Sequence, residues 1–513
     1  MAPRTPAPGG ARPLLRGSVG LWAAVAVVLI AASCNSHGLS SRPLGFSHAS
    51  FDSTAKDYPE LAEVSAAFDR NVAPRPDADL RQRQLDLFAE VLDITRGDYV
   101  EPVAMPHMIG LAVEGFDQVG IEADLRERAD APATDAEDED DELTADNLMS
   151  AGLDRMLSKL DSHSGYLSPE RYREMKLRTR GEFGGIGIEV TVEDGLVKVV
   201  APIDESPGQR AGLQAGDLIT HVDGTSVFGM SLEQAVNLMR GPAGSRVVLE
   251  LRRPPATETF RVAIVRDTVR IQAVRAHAEG DIGYVRITTF NEQAEEALRR
   301  AVKDLRGELG KRMAGLVIDL RNNPGGLLDQ ALGVSDAFLS GGEIVSTRGR
   351  ERNTVRRFSA EGGDIADGLP IVVLINGGSA SASEIVSGSL QDHQRAVVIG
   401  TRSFGKGSVQ TIIPVSGGGA VRLTTARYFT PSGRSIQLSG IVPDIVVGVD
   451  EAGMRREADL ENPLPSDSAD VTGTAKLTAD QACPTSGQRE DPILACAVEL
   501  LESRATVAAG LSN

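Results

Sequence analysis

Two side chains carry the chemistry this sequence offers. Ser381 lies in the cluster Ser379-Ala380-Ser381-Ala382-Ser383-Glu384, and Lys406 lies in Phe404-Gly405-Lys406-Gly407, with Gln410 four residues further on. A serine hydroxyl becomes a nucleophile beside a base that takes its proton. Lysine can be that base if its pKa, ordinarily about 10.4, falls towards 7 or 8, and burial drives it down by penalising the charged form. Phe404, Gly405 and Gly407 give Lys406 uncharged neighbours and no acidic partner. If 406–410 is extended, Gln410 faces the same side, and its amide oxygen could orient the amine without adding charge. A polar residue on a sheet face is the competing reading for Gln410. His393 is the histidine closest in sequence, but twelve residues of helix would place it about 18 Å along the axis from Ser381.

The elements around these residues fit the pairing. Ile371–Ile375 is a continuous apolar run, short enough for a strand buried on both faces. A turn of small residues follows, then a helical pattern with Ile385, Val386 and Leu390 on one side. Ala396–Ile399 reads as the next strand, leading into the Gly-rich turn of Lys406, and Ser408–Val415 as a third strand closing the unit. Ser381 thus sits at the carboxyl end of a buried strand, where open α/β sheets place ligands. It also stands at a helix N-terminus, where free N–H groups and the dipole suit an oxyanion. The plain alternative is a capping box, Ser381 with Glu384, and nothing more. A second Gly-rich turn, Leu320–Gly326, follows the strand Leu316–Asp319, and its Gly326 N–H could join that of Ala382 to hold an oxyanion. Gly400–Lys406 matches a phosphate-binding loop as far as its lysine, but Gly407 stands where Ser or Thr should bind magnesium, and a strand follows instead of a helix.

Length and composition narrow the class. The 513 residues suggest about three domains, and a hydrophobic content of 41% suffices for ordinary cores. A net charge of −19 and 4% aromatics disfavour nucleic-acid binding. Asp135–Glu142 is an acidic run without the glycine or spacing of a calcium loop. No cysteine or histidine spacing suggests a metal, and no cofactor is expected. Arg4, Arg12 and Arg16 precede an apolar stretch from Val19 to Ala32, an export signal over 1–34. Ala31-Ala32-Ser33-Cys34 resembles a lipoprotein box, so lipidation at Cys34, an uncleaved anchor and ordinary cleavage all stand. Each places the rest outside the cytoplasm, in the cell envelope or periplasm. Cys483 and Cys496 are left as a local disulfide or as two free thiols.

In order, 35–77 lacks sustained periodicity and reads as a tether. Residues 78–180 form a helical region: Leu80–Val100, Leu111–Phe116, then Leu148–Leu160 beyond the acidic insertion, ending in Asp161-Ser162-His163-Ser164-Gly165-Tyr166-Leu167. Three short helices bury little alone, so their apolar face must pack on other domains or on a second copy. Residues 181–270 are strand-rich, with one short helix and one full helix, capped by Ser231 and Gln234 and ending at Gly241-Pro242. Ala211–Gly224 carries A-G-L-x-x-G-D-x-I-x-x-V-x-G, a pattern of bacterial PDZ domains. Strands and helices alternate over 271–450, implying a mostly parallel sheet covered by helices. Residues 451–490 read as a polar linker and 491–513 as a last helical segment.

Taken together, the order helical region, PDZ domain, G-S-A-S-A-S-E and F-G-K-G-x-V-Q resembles the carboxyl-terminal processing, or tail-specific, proteases. The match runs from about Leu80 to Val447 and includes D-S-H-S-x-Y-L, L-R-x-N-P-G-G, the segment Gln391–Ala396 and Tyr428–Gly433. The resemblance implies a serine endopeptidase with an α/β core similar to crotonase and Clp protease. It implies Ser381 as nucleophile, Lys406 as base and Gln410 as its support. In such an enzyme the PDZ domain would receive an extended chain end, its carboxylate held by backbone N–H groups of Gly184, Gly185, Ile186, Gly187 and Ile188. Arg240 is a candidate contact to the protease core or the substrate, or else an exposed cation at a helix end. Expected partners are protein substrates with free C-termini, the membrane through the N-terminal segment, and a second copy through the N-terminal helices; nucleic acid is not among them. The competing class is a PDZ scaffold with an inactive core.

Overall fold

The computed structural model describes residues 50–128 and 144–510, apart from 194, 204, 205, 231, 271, 352, 353, 449–454, 467–476 and 485–489. The export segment with Cys34, the acidic run Asp135–Glu142 and the cap at Ser231 lie outside the described residues.

Helices begin earlier than the sequence pattern suggests. Within the stretch read as a tether, Phe51–Asp57 and Leu61–Asn71 are helical. Leu61, Val64, Ala67 and Phe68 of the second helix are fully buried, because they recur on one face and find partners in the helices that follow. Ala78–Asp98, Met105–Arg128 and Ala145–Ser158 complete the bundle, with Phe68 and Phe88 both packed on Phe116. Its core also contains Val415, Val421, Leu423 and Leu464, so the apolar face is closed by later parts of the same chain.

The helix Pro169–Thr179 leads into Glu182–Gly185, which pairs antiparallel with Asp267–Arg270. These two strands form the stem of the inserted domain. Between them lies a sheet built from Ile188–Glu193, Leu196–Pro202, Leu218–Val222, Arg246–Arg252 and Thr259–Val265, with Thr225–Ser226 beside it. The helices Pro207–Arg210 and Leu232–Met239 accompany it. Alternate residues of Arg246–Arg252 (Val247, Leu249 and Leu251) point into one core with Ile219, Ala235 and Met239.

The part of the chain after the inserted domain holds two sheets. The larger runs Val274–Glu279, Ile282–Ile287, Gly315–Asp319, Ile371–Ile375, Ala396–Gly400, Ile445–Val446, Leu477–Thr478. Its first pair is antiparallel and the rest are parallel. Gly315–Asp319 and Ile371–Ile375 are buried along their whole length. Ala294–Leu309, Leu328–Asp336 and Ala382–Asp392 cover one face, and Pro492–Gly510 covers the other. Cys483 forms a disulfide with Cys496 of that last helix.

Ser408–Pro414 does not join this sheet. It pairs antiparallel with Ala420–Phe429 in a second sheet that also holds Glu343–Gly349, Val355–Ser359 and Gly165–Leu167. Gly405 and Gly407 let the chain turn between the sheets: Gly405 has φ +99°, and a side chain at Gly407 would collide with the Gln437 backbone. Part of the stretch read as a linker is also folded. Arg455–Ser466 lies against the core with Glu457 and Leu464 buried, and Leu477–Thr478 and Ala479–Ala482 form a strand and a short helix.

Candidate active site

The buried strand Ile371–Ile375 ends in a turn braced by its own serines. Ser379 Oγ donates to Leu320 O at 2.8 Å and accepts from Asn376 N at 3.0 Å. Ser383 Oγ donates to Asn323 O at 2.9 Å. Both of these serines are fully buried. Ser381 differs from them: it is partly exposed, and its hydroxyl makes no capping hydrogen bond. Its backbone sits at φ 53°, ψ −110°, a region costly for a residue with a Cβ. A strained strand-to-helix turn of this kind lifts a side chain away from the backbone and leaves it open to a ligand. The Ser381 N–H donates to Glu384 Oε2 at 2.8 Å, the Glu384 half of a capping box.

Glu384 does more than cap the helix. Oε1 accepts from Ser403 Oγ at 2.6 Å and from the Gly405 N–H at 2.7 Å, while Oε2 also accepts from the Lys406 N–H at 2.9 Å. One carboxylate therefore grips the backbone of Ser381 and of Lys406. The Phe404 N–H adds a bond to Ser379 O at 3.0 Å. Glu384 is completely buried; burial pushes its pKa up to about 7, against the pull of its four donors. The sequence displayed Glu384 only as the end of a capping box. Its contacts to 403–406 come from a different strand end, which no local pattern reports.

Lys406 is partly buried, and desolvation moves its pKa below the usual lysine value. The expectation that it lacks acidic neighbours fails. Glu457, Asp161 and Glu384 all favour its charged form, and Arg422 opposes them. These groups come from four other segments, so the residues flanking Lys406 could not reveal them. Among the described residues Lys406 makes no ion pair, and its amine and the Ser381 hydroxyl are not hydrogen-bonded to each other. The two loops are thus locked together while the Lys406 amine and the Ser381 hydroxyl stay apart.

Gln410 lies on the strand Ser408–Pro414, next to a register shift between Val409 and Gln410. Its Nε2 donates to Ser408 Oγ at 2.9 Å and to Thr424 Oγ1 at 3.3 Å. Thr424 Oγ1 in turn donates to Asp161 Oδ1 at 3.0 Å, and Ser164 Oγ to Asp161 Oδ2 at 2.6 Å. The Asp161–Ser164 motif is therefore wired to the strand that carries Gln410. His393 caps the far end of Ala382–Asp392, with Nε2 bound to Glu343 O at 2.7 Å.

The turn Leu320–Gly326 abuts the serine turn. Gly325 has φ +100°, and a Cβ there would lie 2.8 Å from Ala380 O and 2.9 Å from Ser381 Cβ. The N–H groups of Gly326 and Ala382 donate to no other group among the described residues, and Ala382 opens its helix. In the inserted domain Gly184 and Gly185 pair with Thr268 and Asp267, and Ile186 is buried. Gly187, at φ +69°, accepts from Ile203 N and from Ser206 Oγ before the chain continues into Ile188–Glu193. The Arg240 guanidinium lies 5.4 Å from the centre of the Phe183 ring, beside this loop.

Comparison with known proteins agrees with this architecture. Residues 281–447 match peptidase family S41, and residues 198–253 match a PDZ domain. The carboxyl-terminal-processing protease of Picosynechococcus sp. is 35% identical over 337 residues, which cover 64% of this chain and 78% of that protein. A solved photosystem II D1 C-terminal processing protease is 32% identical, covering 71% of this chain and 93% of that one, with a TM-score of 0.42. The carboxy-terminal-processing protease of Bartonella bacilliformis is 55% identical over 301 residues, covering 58% of this chain and 69% of that protein. Identity of that depth, across more than two thirds of a whole relative, makes this chain a member of the carboxy-terminal-processing proteases, serine-type hydrolases of peptidase family S41.

Proposed function

We propose that this protease cleaves unstructured exported proteins near their C-termini, with Ser381 as nucleophile and Lys406 as general base. The observation that carries the reading is Glu384, whose carboxylate binds the N–H groups of Ser381 and Lys406 at 2.8 and 2.9 Å. Ser381 alone among the three clustered serines has a hydroxyl free of structural bonds to the turn.

The neutral Lys406 amine takes the Ser381 proton as Oγ attacks the scissile carbonyl carbon. The carbonyl π pair moves to oxygen, and the N–H groups of Gly326 and Ala382 hold that oxyanion. As the oxyanion collapses, the C–N bond breaks and the Lys406 ammonium gives its proton to the leaving amine. Water then attacks the acyl carbon, with Lys406 accepting its proton; as this second oxyanion collapses the C–Oγ bond breaks, the new carboxyl end leaves, and the Lys406 ammonium returns its proton to Ser381 Oγ. Gln410 fixes the base strand through Ser408 and Thr424. The PDZ domain selects the substrate tail, whose carboxylate docks at the loop 184–188 near Arg240 and Phe183. The N-terminal segment, as an anchor or through a lipidated Cys34, holds the enzyme at the membrane in the cell envelope, and the N-terminal helices offer a face for a second copy.

The test is to incubate an unfolded protein with the wild-type enzyme and, separately, with Ser381→Ala, and to map the products by mass spectrometry. The proposal expects fragments trimmed from the C-terminal side with the wild type and intact substrate with the variant. Cleavage by Ser381→Ala at the wild-type rate would refute the nucleophile. Wild-type enzyme that binds tails and leaves them uncut would favour a scaffold.

A further inference from the structure

The segment after the core, Arg455–Ser466, reaches the Lys406 loop. Glu457 is fully buried there. Its carboxylate meets His163 Nε2 at 2.8 Å and accepts from Gln437 Nε2 at 3.0 Å. Its N–H donates to Phe404 O at 3.2 Å, two residues before Lys406. Gln437 Oε1 accepts from the Gly407 N–H at 2.9 Å, one residue after it. Leu464 O accepts from Gln437 Nε2, and Asn462 O from Ser162 N, so the segment is stitched to the helical region as well. A buried carboxylate is costly unless hydrogen-bonding groups receive it, and here His163 and Gln437 do so.

We propose that Glu457 is a positioning residue for the Lys406 amine, fixing the base's loop and supplying it with a buried counter-charge. This rests on the reading of Lys406 as the base. A base that is only desolvated takes a proton poorly and so catalyses poorly; a nearby anion restores its proton affinity towards the working pH. The groups acting on Lys406 are Glu457, Glu384 and Asp161, which favour the ammonium, and Arg422, which opposes it; Glu457 is the strongest of these charges. His163 is the titratable group in contact with Glu457, its Nε2 lying 3.0 Å from Oε1 and 2.8 Å from Oε2.

The experiment compares wild type with Glu457→Gln, which keeps the shape and removes the charge. One readout is the pH profile of kcat/KM on an unstructured peptide. A second is amine-specific labelling of Lys406 against pH in the Ser381→Ala background, read by mass spectrometry. Without the counter-charge the amine loses its proton more readily, so both midpoints move to lower pH by about one unit. A role confined to packing would lower activity and leave both midpoints in place. Glu457→Asp, which draws the charge back by one methylene, moves them the same way by less, and it carries the test if Glu457→Gln does not fold. An unmoved labelling midpoint in either folded variant overturns the inference whatever the base is. A labelling midpoint that moves while the activity profile stays fixed would instead remove Lys406 as the base and leave the coupling intact.

Discussion

Removing the Glu384 side chain tests whether one carboxylate assembles the site. Glu384→Ala strips the acceptor from the N–H groups of Ser381, Gly405 and Lys406 and from the Ser403 hydroxyl. The buried Gly405 N–H and Ser403 hydroxyl left without this acceptor cost roughly 2 kcal/mol each, and the half-buried N–H groups of Ser381 and Lys406 about 1 kcal/mol each, about 6 kcal/mol in all. Against this, the variant no longer buries a charge. With a folded pKa of about 7 against an ordinary 4.5, Glu384 keeps its proton in the fold at pH values where the unfolded chain has released it. Its contribution to stability is therefore fully present below about 4.5 and lost as pH rises through 7, a cost of about 3 kcal/mol at alkaline pH. The net loss is about 3 kcal/mol at pH 8, which a domain of ordinary stability survives.

Activity should suffer more than stability. The serine and lysine loops lose their shared anchor, and a displacement of about 1 Å between reacting groups costs on the order of 100-fold in kcat. Glu384→Gln keeps one carbonyl oxygen and should fall between wild type and Glu384→Ala. The assay is kcat and KM on an unstructured peptide at pH 8, beside a thermal melt of each protein. A folded Glu384→Ala enzyme within twofold of the wild-type kcat would refute the claim that this carboxylate assembles the site.

Four further outcomes are expected. Ser379→Ala and Ser383→Ala should keep measurable cleavage but melt lower by about 1–3 kcal/mol of stability, since each removes a buried bond; Ser381→Ala should melt normally and be inactive. Lys406→Arg should be inactive because guanidinium stays protonated, wild-type activity should fall as pH drops through the lowered Lys406 pKa, and His393→Ala should leave that acid limb in place; peptide cleavage profiles check all three. Gly325→Ala should cut kcat about 100-fold with little change in KM, because its Cβ would press on Ala380 O and Ser381 Cβ at a backbone φ of +100°. Amidating the C-terminus of a peptide should slow its cleavage at substrate levels below saturation, and equal rates for amidated and free peptide would remove tail recognition.

Much of the scaffold was legible because its signals are local. The apolar run Ile371–Ile375 became a strand buried throughout, and the pattern after Ser381 became the helix Ala382–Asp392. The motif Ala211–Gly224 placed the PDZ-type strand Leu218–Val222. Residue types also drew attention to the serine cluster and to Lys406, because His393 lies too far along the helix to serve as the base, while the choice of Ser381 within the cluster came from the family resemblance. The helix Leu61–Asn71 was missed inside an apparent tether, since its four buried positions sit among polar residues and gain meaning only from their partners.

Everything that depends on residues far apart in sequence was decided by the tertiary structure. Ser408–Pro414 crosses into a second sheet because its partner, Ala420–Phe429, is there; an extended segment looks the same in either sheet. The hydroxyls of Ser379 and Ser383 are spent on carbonyls of the neighbouring turn, while Ser381 is held at a positive φ. Composition treats the three serines alike; only the turn that receives them tells them apart. Glu384 and Glu457 read as a cap and a linker residue. Folding brings both carboxyl groups to the Lys406 loop, because a carboxyl group removed from water must find donors, and those donors come from other strands and loops.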